Sequence, residues 1–117
     1  MKYFSLREFA CPCCGRAEMQ EEFKQKIDLA RELAGVPFVI TSGFRCKKHN
    51  REVGGKPNSA HLGGWAADIR ARTSRRRAKI VEALIKVGFR RIGIDFKRGF
   101  IHVDCDPTKP SPRLWGY

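Results

Sequence analysis

Acidic residues are scarce in this chain. Twelve Asp and Glu stand against 24 Lys and Arg, a formal net charge of +12 over 117 residues. Such a surface favours polyanions: nucleic acid, anionic cell-wall polymers or acidic lipid headgroups. The densest cluster is Arg70, Arg72, Arg75, Arg76, Arg77 and Lys79. A solvated basic helix face with no partner is the plain alternative. No apolar run approaches the roughly 18 residues of a membrane span, so no transmembrane helix is expected. Met1-Lys2-Tyr3-Phe4-Ser5 lacks the apolar core of a signal peptide. Synthesis in the cytoplasm is therefore expected, with any export by another route. Neither a repeat nor a linker-like stretch divides the chain. Residues 1–117 are expected to form one domain, large enough to bury a core without disulfides.

A disulfide framework is also missing. The cysteines are Cys11, Cys13, Cys14, Cys46 and Cys105, an odd number without a secretory leader. Cys11 and Cys14 have the spacing of a zinc knuckle, but no second Cys-x-x-Cys follows. Cys46 and His49 complete such a site only if the fold brings them near. The reading at this level is reduced thiols near a turn. No zinc-finger Cys/His array is present, so nucleic acid is not the expected partner.

What the chain does contain is a regular alternation of elements. Ser5 and Glu8 have the spacing of a capping box around a helical turn. Phe23, Ile27, Ala30, Leu33 and Ala34 recur at helical spacing over 21–34, with Glu21 and Glu22 in the first turn and Gly35 after the last. Phe38 to Ser42 reads as a buried strand, and Cys46 to Val53 as a short helix. Thr73 or Ser74 caps a helix to about Val87, with Ile80, Val81, Leu84 and Ile85 as its core face. Arg91–Asp95 and Phe100–Asp104 read as a hairpin around Phe96-Lys97-Arg98-Gly99. The tail, with Pro107, Pro110 and Pro112, reads as irregular, and Trp115 and Tyr117 as docking it to the body. The fold class is α+β: a mostly antiparallel sheet with helices on one face and the site on the other.

The chemistry concentrates in Ser59-Ala60-His61-Leu62-Gly63-Gly64-Trp65-Ala66-Ala67-Asp68 and in Phe100-Ile101-His102-Val103-Asp104. Two histidines and one aspartate leave an open position on a four-coordinate zinc, as catalytic sites do. Seven residues of helix would separate His61 and Asp68 by about 10 Å, too far for one metal. The segment must turn back, and Gly63-Gly64 permits that. His61 then lies on a loop and Asp68 on the strand Ala66–Arg70. Side chains alternate along strands, so Asp68 and His102 converge if their strands share a sheet.

These motifs, in this order, resemble the zinc D-Ala-D-Ala carboxypeptidases and their VanX-type and phage endolysin relatives, which share a fold with lysostaphin-type peptidases and the hedgehog signalling domain. The resemblance rests on Ser59-x-His61-x-x-Gly64-x-Ala66-x-Asp68 and on His102 in its closing strand. Upstream, Thr41-Ser42-Gly43-Phe44-Arg45, Asn50 and Val53-Gly54-Gly55 extend it, and it spans roughly Phe4 to Tyr117. It implies Zn2+ held by His61, Asp68 and His102, an Arg45 that holds substrate or stabilises charge, and Ser59 near the substrate. It further implies cleavage of a peptidoglycan stem peptide, as a D-Ala-D-Ala carboxypeptidase or an L-Ala-D-Glu endopeptidase. A phage lysin or virion enzyme would act at the cell wall, where positive charge suits an anionic polymer. A monomer is expected. One departure stands out. VanX-type members place a glutamate, the general base, three residues before the last histidine, where this chain has Gly99. Asp95 is the first candidate to accept the proton of the attacking water, and Asp104 the second. The competing readings are a non-catalytic zinc-containing module of the same fold and a basic nucleic-acid-binding protein.

Overall fold

A computed structural model describes residues 1–117. The elements in chain order are α1 (Glu21–Ala34), β1 (Ile40–Ser42), α2 (Lys47–Glu52), β2 (Ala66–Arg70), α3 (Ser74–Lys86), β3 (Arg91–Asp95), β4 (Phe100–Asp104) and β5 (Arg113–Gly116). Two short 3-10 turns, Leu6–Phe9 and Ala60–Gly63, precede α1 and β2. No helix is long and apolar enough to cross a membrane. The fold is α+β, as expected.

The five strands form one mixed sheet in the order β1-β2-β4-β3-β5. The first three junctions are antiparallel, while β5 runs parallel to β3. The register puts Ser42 opposite Asp68, Asp68 opposite His102, His102 opposite Gly93, and Gly93 opposite Trp115. Opposed residues in a ladder project to the same face, so this row crosses the whole sheet on one side. Ala67, Ile69, Ile92, Ile101 and Val103 occupy the other parity. They join Phe23, Ile27 and Ala30 of α1 and Ile80, Ala83 and Leu84 of α3 in one buried cluster.

Local signals explain most element ends. The Ser5–Glu8 capping box is present. The Thr73 hydroxyl accepts the Arg76 backbone N–H at 3.2 Å and starts α3. Gly35 ends α1 at φ 66°.

Four expectations need correction. Leu33 is 54% exposed and Ile85 is 57% exposed. Each lies five or six residues from Ile27 or Ile80, and at about 100° per residue that turns the side chain off the buried stripe. The strand expected from Phe38 begins only at Ile40, although Phe38 itself is buried in the core. The tail is not irregular throughout. Its three prolines all precede Arg113, so nothing prevents Arg113–Gly116 from donating to the sheet as β5.

Candidate metal centre

His61 sits in the 3-10 turn that Ser59 opens, the Ser59 hydroxyl accepting the His61 backbone N–H at 3.2 Å. Gly64 closes that turn at φ 75°. A Cβ there would lie 2.0 Å from the Glu18 carbonyl oxygen, so only glycine fits both the conformation and the space. Of the two glycines expected to turn the chain back, Gly64 alone has positive φ. The turn delivers His61 over the sheet beside Asp68, which β2 places directly opposite His102.

His61, Asp68 and His102 are all buried, and one donor atom from each lies within 4.8 Å of the others. His61 Nε2 is 3.3 Å from Asp68 Oδ1. His102 Nδ1 is 3.0 Å from the same oxygen. The far nitrogen of each ring is engaged elsewhere. His61 Nδ1 is 2.7 Å from the Gly43 carbonyl oxygen, and a carbonyl only accepts, so Nδ1 carries the proton. His102 Nε2 donates to Asp104 Oδ2 at 2.7 Å. Both ring orientations are thereby set, and Nε2 of His61 and Nδ1 of His102 face the same carboxylate oxygen. This is how metal-ligating histidines are held.

The electrostatics agree with that chemistry. Burial depresses the pKa of His61 and leaves it neutral near pH 7. Burial alone would raise Asp68, but its hydrogen bonds to His102 and His61 outweigh burial and hold the carboxyl well below the usual range. Burial alone would lower His102, yet its bonds to Asp104 and Asp68 raise it. A site that favours a proton between His102 and Asp68 also favours a cation there. Two imidazoles and a carboxylate suit zinc, with one position left for water or substrate. The donor set therefore fits the ion.

Arg45 borders this cluster. Its Nε donates to Ser42 Oγ at 3.0 Å and its Nη1 to Asn50 Oδ1 at 3.3 Å. Its Nη2 reaches Asp68 Oδ2 at 3.4 Å. Asn50 is itself fixed by a 2.8 Å bond from Nδ2 to the Lys56 carbonyl. The guanidinium is thus aimed from a braced position.

Asp95 closes β3 opposite Phe100, on the same face as His102 and about 7 Å along the strand from Gly93. Its Oδ1 accepts the Arg98 backbone N–H at 2.7 Å, and its Oδ2 lies 3.9 Å from Arg98 Nε. Its contacts are with its own turn. Asp104 is fully engaged, by His102 on one oxygen and by Arg91 Nε at 2.8 Å on the other. Gly99 is at φ 75° in the hairpin, a conformation a glutamate adopts only under strain.

Trp115 and Tyr117 do more than dock the tail. The Trp115 ring centroid is 5.6 Å from that of His102. It lies over Gly93, where a Cβ would meet Trp115 Nε1 at 2.4 Å. The Tyr117 ring packs beside it, with centroids 6.5 Å from Trp115 and 5.4 Å from Phe100. The signal for these residues was the Trp-x-Tyr alternation, which puts both side chains on one face of a strand.

Comparison with known proteins gives one family. The profile of the peptidase M15 family matches residues 2–104, which include every residue of the cluster and stop short of β5. No curated protein matches the sequence.

Proposed function

Because the chain belongs to the peptidase M15 family, that of the zinc D-Ala-D-Ala carboxypeptidases, we propose that residues 1–117 form one zinc peptidase domain that cleaves a peptide bond in the stem peptide of bacterial peptidoglycan. The bond is of the D-Ala-D-Ala carboxypeptidase or the L-Ala-D-Glu endopeptidase type. The observation that carries this reading is the convergence of His61 Nε2, Asp68 Oδ1 and His102 Nδ1 from a turn and two strands, each ring held by its distal nitrogen.

In this proposal His61, Asp68 and His102 hold Zn2+. The ion, when bound, lowers the pKa of a coordinated water and polarises the scissile carbonyl. Gly43 and Asp104 orient the two imidazoles. Arg45 offers a planar fork of donors to a substrate carboxylate or to the developing oxyanion. Ser59 holds the His61 turn and lies where substrate approaches. Asp95 accepts the proton of the attacking water, since Asp104 is committed to His102 and Arg91. Trp115 packs against His102 and walls that side of the site. The net charge of +12 suits an anionic wall polymer.

Gly99 favours one second reading, a non-catalytic zinc module of the same fold. Incubation of the zinc-loaded protein with defined muropeptides, followed by mass spectrometry of the products, separates the two. The proposal expects a single cleaved bond and loss of cleavage on chelation. Intact muropeptides alongside zinc bound by His61, Asp68 and His102 would reject catalysis. Alanine at His61, Asp68 or His102 is expected to abolish tight zinc binding at this centre. Retention of that zinc in all three variants would mean the ligands are misassigned.

A further inference from the structure

We propose that Cys11, Cys14 and Cys46 bind a second, structural zinc ion, with Cys13 as the fourth ligand, and that this ion clamps the N-terminal segment onto the loop carrying Arg45. Read from the sequence, these residues were reduced thiols near a turn. The fold changes that by bringing Cys46, the residue before α2, against the Cys11-Pro12-Cys13-Cys14 loop. The sulfurs of Cys11, Cys14 and Cys46 lie within 4.8 Å of one another. Those of Cys11 and Cys46 are 3.7 Å apart. A tetrahedron with zinc–sulfur bonds of about 2.3 Å has edges of about 3.8 Å, so this pair already has the spacing of two ligands on one ion.

The loop is built like a metal knuckle. Cys11 N–H donates to the Arg16 carbonyl and Gly15 N–H to the Cys11 carbonyl, each at 2.7 Å. Gly15 turns at φ 76°. His49 N–H donates to the Cys46 sulfur at 3.4 Å. Such a donor compensates part of the negative charge that a thiolate carries when it ligates a metal. Cys13 stands outside the three-sulfur group but is exposed in the same loop, next to Cys14, and is assigned as the fourth ligand on that adjacency. Four thiolates make a closed, structural coordination sphere.

Its position gives the clamp a purpose. Phe44 N–H bonds the Phe9 carbonyl at 2.8 Å. A Cβ on Gly43 would lie 2.6 Å from Phe9 Cα, so the two segments touch backbone to backbone. Gly43 supplies the carbonyl that orients His61, and Arg45 precedes Cys46. An ion across Cys11, Cys14 and Cys46 therefore fixes the segment that positions both residues.

The test does not depend on peptidase activity. Protein purified under reducing conditions and saturated with zinc is expected to hold two equivalents by elemental analysis. The double variant His61→Ala/His102→Ala is expected to keep one. In that variant cobalt substitution should give a thiolate-to-cobalt charge-transfer band, and Cys14→Ser should abolish it. In the wild-type chain, titration with a mercurial should release one equivalent to a colorimetric chelator and leave the other bound. Metal loss should also speed amide exchange over residues 43–46. Cobalt-loaded His61→Ala/His102→Ala without a thiolate band, or wild-type protein with a single equivalent that mercurials do not release, would overturn the proposal. Loss of the band in His49→Ala but not in Cys13→Ala would overturn the fourth ligand.

Discussion

Asp104→Asn is the substitution whose outcome follows most directly from the geometry. Asp104 is 1% exposed, and both its oxygens are used as acceptors. Oδ2 takes the His102 Nε2 proton at 2.7 Å. Oδ1 takes Arg91 Nε at 2.8 Å and the Asp106 backbone N–H at 3.2 Å. An asparagine keeps the shape but has one acceptor oxygen and one donor group. If its oxygen faces His102, its NH2 faces the N–H groups of Arg91 and Asp106, and buried donors lose their partner at a cost of about 1–3 kcal/mol in stability. If its NH2 faces His102, Nε2 must accept, and the ring proton moves to Nδ1, the nitrogen that faces Asp68. Either orientation weakens the metal site. Zinc affinity is expected to fall about 10–100-fold, or about 1.4–2.8 kcal/mol. Competition with a chromophoric chelator measures this, with thermal unfolding of the metal-free chain as a control for folding. A folded Asp104→Asn protein with the wild-type zinc Kd would refute the orienting role.

Three further outcomes are expected. Arg45→Ala should lower kcat/KM about 100-fold or more if the guanidinium meets developing charge, with zinc content unchanged; Arg45→Lys should rescue only in part, since lysine lacks the planar fork, and wild-type kinetics in Arg45→Ala would reject the role. Asp95→Asn keeps an acceptor for the Arg98 N–H, so it should fold and bind zinc while losing about 100-fold in turnover; undiminished turnover would place the proton acceptor elsewhere. Gly93→Ala forces Trp115 away from His102, since its Cβ would come within 2.4 Å of Trp115 Nε1; it should shift the tryptophan fluorescence and destabilise the fold by about 1–3 kcal/mol, and an unchanged spectrum and melting temperature would show that the ring is not held there.

Legibility differed from element to element for physical reasons. The hairpin Arg91–Asp95 and Phe100–Asp104 was readable to the residue because alternation and a glycine-closed turn are both local. Helices α1 and α3 were readable from period and caps, but their buried faces were narrower than composition suggests, which is why Leu33 and Ile85 misled. Strand β5 was not readable. Four residues after three prolines carry little local preference, and the strand exists because β3 offers an open edge for parallel pairing. Pairing energy is set by the partner, not by the segment.

The same distinction runs through the site. His61 and Asp68 fall within one short stretch, and the alternation of two strands brought His102 opposite Asp68, so the donors of the cluster could be named from spacing. Their orienting groups are of two kinds. Asp104 has a side chain and stands two residues from His102 on the same face of β4, so its nearness to the site was visible, although it was read as the second candidate proton acceptor. The Gly43 carbonyl is main chain, and no residue type announces it. It reaches His61 only because Gly43 lies flat against Phe9, where any Cβ would collide with backbone. That contact joins the N-terminal segment to the centre through one glycine and the cysteines that flank it in space. Cys11 and Cys46 are separated by the whole of α1 and β1, so their meeting depends on the packing of both and could not be read from spacing. Where a function needs only neighbours in sequence, the pattern reveals it; where it needs two segments folded onto each other, as His61 needs Gly43 and Gly43 needs Phe9, the fold must be known first.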